Sequence, residues 1–342
     1  MEKVRFGKTG LMVSKVAFGG IPIQRLSVSD AVAVVKGVID LGVNFIDTAN
    51  AYTDSEEKIG IAIKGIKRDS LVIATKSGAA DKKTFLANLD LSLTRLGTDY
   101  IDIYQHHGLS PEKHERVFGA DGAYEGMLEA IKAGKVRFPA FSSHDIPYAV
   151  KIMKEGKFAC VQLPINYVDI EAEEEAIPLA KEMDIGFIAM KPFGGGMLSD
   201  ARLSMKYISQ FSHLVPDPGI EKLSEMEEIV QIVNSLSAFT PEDAAEIARA
   251  RSELGDSWCH RCNYCQPCPA NVQISSALTI ERHTRRFLFN RVVESIGAAV
   301  ESAKSCVQCG ACLERCPYKL DIPTLLKKKL ADWDKFLADN QG

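Results

Sequence analysis

The sequence predicts an α/β fold, a (β/α)8 TIM barrel, with a small α-helical cysteine-rich module after it. Three observations carry this. The first two-thirds of the 342-residue chain alternates short β-rich runs with helical patterns. That pattern breaks near residue 236. Eight of the nine cysteines then fall between Cys259 and Cys316.

The elements follow in order. A hairpin is expected first, residues 4–6 turning at Lys8-Thr9-Gly10 into 12–14. Strands are expected at 16–19, 44–47, 71–76, 100–105, 136–141, 160–164, 186–190 and 211–215. Helices follow them near 29–41, 55–64, 82–96, 123–133, 146–155, 171–183, 201–209 and 224–235. Eight strand–helix pairs close a parallel barrel. A doubly wound open sheet is the alternative, but no GxGxxG turn follows the first strand. Residues 1–235 are therefore expected to form the barrel and 236–342 a second, helical domain. Thr240-Pro241-Glu242-Asp243 opens that domain with a hydroxyl N-cap, a proline at the first helical position and acids in the first turn. The helix is expected to run to about Leu254 and end at Gly255. Residues 274–303, between two cysteine groups, read as helical.

Composition excludes several function classes. Net charge is -4, so no global field favours nucleic acid or an anionic membrane. No apolar run reaches bilayer length. Residues 1–10 are polar and lack the apolar core of an export signal. A cytoplasmic protein with neither nucleic-acid nor membrane partner is expected.

Cys160 stands alone in an apolar run and reads as a small buried hydrophobe. The other cysteines form two runs. The first is Cys259-His-Arg-Cys262-Asn-Tyr-Cys265-Gln-Pro-Cys268-Pro269. The second is Cys306-Val-Gln-Cys309-Gly-Ala-Cys312-Leu-Glu-Arg-Cys316-Pro317. An exported mini-protein with eight cysteines would suggest disulfides, but this chain is long and its spacing is that of metal ligands. The second run has the bacterial ferredoxin spacing, C-x2-C-x2-C-x3-C-P, and the first is one residue shorter before its last cysteine. Three closely spaced thiolates wrap three irons of a cubane, and the fourth cysteine, followed by proline, ligates the other cluster. Cys259, Cys262, Cys265 and Cys316 are thus expected to hold one [4Fe-4S] cluster, and Cys306, Cys309, Cys312 and Cys268 the second. Structural zinc instead pairs two Cys-x2-Cys knuckles across a longer loop. The long helical insert resembles helical two-cluster ferredoxin modules. Arg282, Arg285, Arg286 and Arg291 lie in that insert. They read first as a solvated face offsetting cluster charge, and second as a dock for an acidic, ferredoxin-like redox protein.

The barrel carries its signal at the C-terminal ends of strands, where barrel enzymes keep their chemistry. After the second strand comes Asp47-Thr-Ala-Asn-Ala-Tyr52-Thr-Asp-Ser-Glu56. The third ends Ala74-Thr75-Lys76, and the fourth runs Asp102-Ile-Tyr-Gln-His106-His107. Carbonyl reduction needs a proton donor at the oxygen. A tyrosine with an ordinary pKa near 10 serves at neutral pH only when tuned, and a nearby lysine charge lowers that pKa. In order and element, these segments resemble the aldo-keto reductases over about residues 1 to 235. The resemblance implies NAD(P)H-dependent reduction of a small carbonyl substrate, or oxidation of its alcohol. It implies Tyr52 as proton donor, Lys76 as its tuner, Asp47 as the partner of Lys76, and His107 orienting the carbonyl. His106 is expected behind the site.

Further residues take cofactor roles by the same resemblance. Ser142 and Ser143 stand where a Ser-Asn pair contacts the nicotinamide amide, with Gln162 beside them. Met190-Lys191-Pro192 stands where an aromatic residue, Ser and Pro are usual, so a thioether replaces the stacking aromatic. Gly194 and Gly195 let backbone approach the pyrophosphate. Gly219 and Lys222 belong to the adenosine-phosphate loop, where Glu221 and Glu225 favour NADH over NADPH. The substrate lies beyond reach, since specificity sits in loops such as 109–122. Two rival functions stand beside the enzyme: an electron-transfer protein between nicotinamide and a ferredoxin-like partner, and a nicotinamide-sensing binding module. The cysteine runs generate one expectation. Protein purified without air should hold about eight irons and eight acid-labile sulfides per chain. Stoichiometric zinc without sulfide would overturn it.

Overall fold

Barrel strands buried on both faces need apolar side chains inside and out, and the first unit meets that need. The computed structural model describes residues 1–254, 257–259 and 264–340. Internal contacts group residues 1–194 and 198–239 in one unit, and 195–197 with residues from 240 onward in another.

A hairpin of β1 (Lys3–Phe6) and β2 (Leu11–Ser14) pairs antiparallel, with Val4 opposite Val13. The barrel strands are β3 (Phe18–Gly19), β4 (Phe45–Asp47), β5 (Val72–Ser77), β6 (Ile101–His106) and β7 (Val136–Ser142). They continue with β8 (Cys160–Pro164), β9 (Gly186–Met190) and β10 (Leu214–Asp217). All pair in parallel, in chain order from β3 to β10. The ring closes where the Ala17 and Gly19 amides donate to the Pro216 and Pro218 carbonyls, each at 2.9 Å.

Side chains point inward at every second residue, so alternate strands fill successive layers. Phe45, Ile103, Cys160 and Val215, from β4, β6, β8 and β10, belong to one apolar cluster. Ala17, Ala74, Ala140 and Ile188, on or beside the intervening strands, belong to it too. The hairpin enters the same core: Phe6 packs edge-on against Phe45 at 5.4 Å. A Cβ on Gly186 would lie 2.5 Å from the Phe6 ring, so that position must be glycine for Phe6 to fit.

The helices of this unit are α1 (Val28–Asp40), α2 (Ser55–Ile63), α3 (Lys82–Leu96), α4 (His114–Phe118) and α5 (Ala123–Lys132). After them come α6 (Ile146–Lys154), α7 (Ala176–Glu182), α8 (Ala201–Ser209) and α9 (Leu223–Ser235). Ser27, Asp81, Asp145 and Asp200 cap four of them by accepting backbone N–H groups with their side chains. Two expectations shift. The last strand starts at Leu214, because residues 208–214 close two successive turns first. The helix expected at 171–183 begins as a separate 3-10 turn at Glu171–Glu173.

In the second unit, α10 (Pro241–Leu254) starts as its sequence predicts, with Thr240 and Asp243 bonding each other reciprocally. Gly255, expected to end it, lies outside the described residues. Residues 274–303 form three helices rather than one: α11 (Ile274–Ala277), α12 (Ile280–Thr284) and α13 (Phe289–Ser302). The Thr279 hydroxyl bonds back to the Ser275 and Ser276 carbonyls at the first break. The unit ends with α14 (Ala311–Arg315) and α15 (Ile322–Asp339), whose Trp333 packs with Ile280, Val292, Ile296 and Val300. Among the described residues no helix is long and apolar enough to cross a membrane.

His106 ends β6 on the outward side, stacked on Phe85 at 4.7 Å and edge-on to Phe158 at 5.9 Å. Burial holds its pKa down to about 3. The unfolded chain's histidine takes up a proton near pH 6.5, so this source of stability is complete above that pH and is lost as pH falls toward 3. His106→Phe should lower the pH slope of urea stability, between about pH 6 and 4.5, by about 1.4 kcal/mol per pH unit. An unchanged slope would show that His106 is not held neutral.

Candidate functional site

Above the apolar layers the barrel interior turns polar. Two residues beyond Phe45, Ile103, Cys160 and Val215 on the same strands stand Asp47, Gln105, Gln162 and Asp217, all at most 8% exposed. They are joined. Gln105 Nε2 donates to Asp47 Oδ1 at 3.2 Å, and Gln162 Nε2 donates to Asp217 Oδ2 at 2.9 Å and Asp47 Oδ2 at 3.3 Å. Two residues beyond Ala17, Ala74, Ala140 and Ile188 stand Gly19, Lys76, Ser142 and Met190.

Lys76 is buried, and its ammonium donates to Asp47 and, at 2.8 Å, to the Thr48 carbonyl. Burial opposes that charge, but Asp47, Tyr52 and Asp217 more than offset it, so the lysine pKa rises. The ammonium lies 5.2 Å from the centre of the Tyr52 ring, which meets the His107 ring edge-on at 5.8 Å. Burial first, then the charges of Lys76 and Lys113, lower the His107 pKa to about 3, so its imidazole is neutral at ordinary pH.

The Tyr52 turn is pinned from several sides. The Asn50 amide donates to the Lys76 carbonyl at 3.0 Å and the Ser55 amide to the Tyr52 carbonyl at 2.8 Å. Thr48 and Ser55 hydroxyls bond at 2.9 Å, and Glu56 accepts from the Thr75 hydroxyl at 2.6 Å. Residues between Asp47 and Glu56 thus fix where Tyr52 stands against Lys76.

The second unit places its cysteines around a cavity. Cys268, Cys306, Cys309 and Cys312 line it together with Cys265, Val272 and Ile274. Cys265 and Cys268 come from the first run and Cys306, Cys309 and Cys312 from the second, 38 residues and more along the chain. Gly310, with φ of 78°, turns the second loop between Cys309 and Cys312. Cys259 and Cys316 pack on the same apolar cluster. Cys262 lies outside the described residues. Burial, and then the nearness of Cys306, Cys268 and Cys309, raises the Cys312 thiol pKa. Thiols gathered round one cavity suit an iron cluster, which would hold them as thiolates. Among the described residues no three ligand-type side chains converge on one metal ion. A cubane, whose cysteines each bind a different iron, accepts the wider ring that lines this cavity.

Residues 15–250 match the aldo/keto reductase family. The chain belongs to that family. Residues 258–320 match the 4Fe-4S dicluster domain, so this is an aldo/keto reductase with a C-terminal iron–sulfur domain. Aldo-keto reductase YhdN of Bacillus subtilis (strain 168) is 29% identical over 255 residues, which are 69% of this chain and 75% of the relative. Uncharacterized oxidoreductase YqkF of the same strain is 27% identical over 256 residues, 71% of this chain and 79% of the relative. The holo form of aldo-keto reductase AKR11C1 from Bacillus halodurans superposes with a TM-score of 0.65 at 23% identity, over 73% of this chain and 96% of that one.

Within this aldo/keto reductase, the residues expected at the dinucleotide divide. Gln162 is buried, and its Oε1 has no hydrogen-bond partner among the described residues, so an acceptor is offered at the mouth. The Ser142 hydroxyl accepts the Gly108 amide at 3.0 Å, and the Ser143 hydroxyl donates to the Leu109 carbonyl at 2.8 Å, so both hold the loop after β6. Met190 ends β9 opposite Asp217, and the Lys191 carbonyl just before Pro192 accepts from Asn166 at 3.2 Å. Gly194 and Gly195 have φ of 57° and 77°, and contacts group Gly195 with the second unit. Gly219 bridges Gly19, and Lys222 is the N-cap of α9. Glu225 accepts the amides of Glu221 and Lys222 at 2.9 and 3.0 Å, while Glu221 pairs with Arg25.

Three residues escaped the sequence reading: Asp217, Gln105 and Arg25. Asp217 lies beyond the strand expected to end at 215, and Gln105 lies within the quoted Asp102–His107 run but carries no role in the family motif. Inward alternation on each strand would have found both. The arginine set also needs correction. Arg282 is buried, with its guanidinium 4.7 Å from the Trp258 ring centre, and the four arginines spread over two helices and their joint. They do not form one solvated helix face. The cavity generates a prediction. Cys268→Ala should cost one cluster, dropping iron from about eight to about four per chain, with loss of its share of the reduced-state EPR signal. Full iron content would show that Cys268 is not a ligand.

Proposed function

We propose that the barrel interconverts a small carbonyl compound and its alcohol using a nicotinamide dinucleotide, with Tyr52 carrying the proton. The observation that supports this best is the meeting of Tyr52, Lys76, Asp47 and His107 at one mouth. When bound, the dinucleotide supplies a hydride to the carbonyl carbon or takes one from the alcohol. As the hydride arrives, the Tyr52 hydroxyl gives its proton to the carbonyl oxygen. In reverse, its phenolate takes the alcohol proton. The Lys76 ammonium stabilises the phenolate, and Asp47 with the Thr48 carbonyl keeps that ammonium charged and placed. His107, being neutral, adds no second positive charge and has one ring N–H to steady the substrate oxygen.

The dinucleotide would be held by Gln162, Ser142, Ser143, Met190, Lys191, Pro192, Gly194, Gly195, Gly219 and Lys222. The Met190 thioether would cover the ring face that an aromatic usually covers. Near the adenosine end, Arg25 and Lys222 balance Glu221 and Glu225, which narrows the lean to NADH that the carboxylates alone support. The eight cysteines would hold two [4Fe-4S] clusters, which take up and release single electrons. Cys309 is exposed, and that favours electron exchange with a ferredoxin-like partner over a purely structural role.

Tyr52→Phe tests the proposal. Anaerobic assays with NADH and NADPH over an aldehyde panel should lose roughly 10²–10⁴-fold in rate, the usual worth of a general acid. Dinucleotide affinity should be retained. Most of the activity surviving in the variant would assign the proton to another group.

A further inference from the structure

The loop after β6 holds a cation that the Tyr52 reading does not use. Pro111-Glu112-Lys113 makes one 3-10 turn, with proline at its first position and the Lys113 amide donating to the Ser110 carbonyl at 3.1 Å. The turn sends the half-buried Lys113 side chain back over the stem of its own loop. Its ammonium donates to the Gly108 carbonyl at 3.1 Å and reaches the His107 carbonyl at 3.5 Å. The stem is itself fixed at the end of β7. The Gly108 amide bonds the Ser142 hydroxyl, the Leu109 amide bonds the Ser142 carbonyl, and the Leu109 carbonyl accepts from Ser143. The ammonium is thus held at a set place beside His107.

Two observations put that place at the barrel mouth. The Lys113 charge acts on the His107 imidazole, adding to burial and to Lys76 in keeping it neutral. Gly108 has φ of 65°, and a Cβ there would meet only the Lys113 ammonium, at 3.9 Å, so the ammonium borders open space. An ammonium has three protons. The two carbonyls take at most two of them, and both are neutral groups. Among the described residues no carboxylate pairs with Lys113. Glu112, its chain neighbour, is fully exposed and bonds Ser110, and the Lys113 charge is the least of the influences on it. The other charges of the mouth are engaged: Lys76 bonds Asp47, while Asp217 at the end of β10 and Lys191 just past β9 have interactions of their own.

We propose that Lys113 is a specificity residue whose ammonium receives a carboxylate carried by the carbonyl substrate, so that this site takes oxo acids. This rests on the carbonyl reading above and names its substrate class. One remaining proton suits a singly charged carboxylate, whereas a phosphate offers three oxygens and two charges. The chemical step is unchanged. The hydride of the reduced dinucleotide goes to the carbonyl carbon, the Tyr52 proton goes to the carbonyl oxygen, and the carboxylate leaves as it entered.

The test compares kcat/KM for 4-oxobutanoate and 5-oxopentanoate with that for butanal and pentanal, using the full-length, cluster-loaded protein. Wild type should favour the acids at least about tenfold, and Lys113→Met should cut that ratio at least about tenfold, mostly through KM. Lys113→Gln keeps a donor for the Gly108 carbonyl and loses the charge. It should cut the ratio as far, and it decides the matter should the methionine variant not fold. A lysine that only braces the loop would affect acids and alkanals alike. An unchanged ratio in a folded variant therefore overturns this inference and leaves the Tyr52 reading standing. A Lys113-dependent preference for glycolaldehyde phosphate over both acids overturns the carboxylate assignment. Protein that reduces no aldehyde with either dinucleotide overturns the Tyr52 reading instead. In that case calorimetry with unreactive butanedioate still reads the anion site: wild type should bind it more tightly than Lys113→Met, and equal binding overturns the inference.

Discussion

A lysine ammonium deep in a barrel is tolerable only if every proton it carries meets an oxygen and its charge meets another charge. Lys76 meets most of that demand at the end of β5, giving two of its three protons to Asp47 and the Thr48 carbonyl. Much of the mouth follows from it. Asp47 must be held facing inward, which Gln105 and Gln162 do. The strand before must turn so that Thr48 offers its carbonyl, and that turn delivers Tyr52. Glu56, itself buried, bonds Thr75 next to the lysine and pairs with Arg95, tying the start of α2 to β5. Tyr52 is thus placed by the needs of the buried charge beside it.

The layered interior explains how the barrel can be stable and still carry this load. Below the mouth, alternate strands contribute Phe45, Ile103, Cys160 and Val215, with Ala17, Ala74, Ala140 and Ile188 between them. One period higher, the same strands contribute two carboxylates, two amides and an ammonium. The apolar layers supply burial, and the polar layer is confined to where a ligand can reach it. A barrel of this kind keeps stability and chemistry on different residues of the same strands.

Most of the barrel and four of its mouth residues could be read from the chain, because period-two strands, caps and an ordered motif are local signals. Seven of the strand positions came from apolar runs bounded by turns. The eighth slipped by a few residues because Phe211 looks like strand but is taken up in two turns after α8. That slip hid Asp217. The serines at 142 and 143 were legible as strand-end residues, yet their hydroxyls serve the backbone of 108 and 109, a long-range use that no local pattern records. The second unit was legible through its cysteines and the capped start of α10. The break at Thr279 and the burial of Arg282 against Trp258 depend on tertiary packing.

The chemistries proposed for the cysteine cavity and the barrel mouth handle electrons in different units. A hydride moves two electrons with one nucleus, and a [4Fe-4S] cluster changes by one. Two clusters together match one hydride in number, but passing a hydride to them stepwise requires a carrier able to hold one electron at a time. Nothing in the motifs of this chain provides such a carrier. In the proposed reaction the Tyr52–Lys76–Asp47 arrangement moves a proton, not an odd electron. On the proposed reading each half suits its own chemistry: the mouth closed-shell carbonyl chemistry, the thiol-lined cavity one-electron chemistry. What joins them functionally has to be a molecule that meets both, a substrate or a protein partner, and the exposed Cys309 edge is where a protein could receive the single electrons.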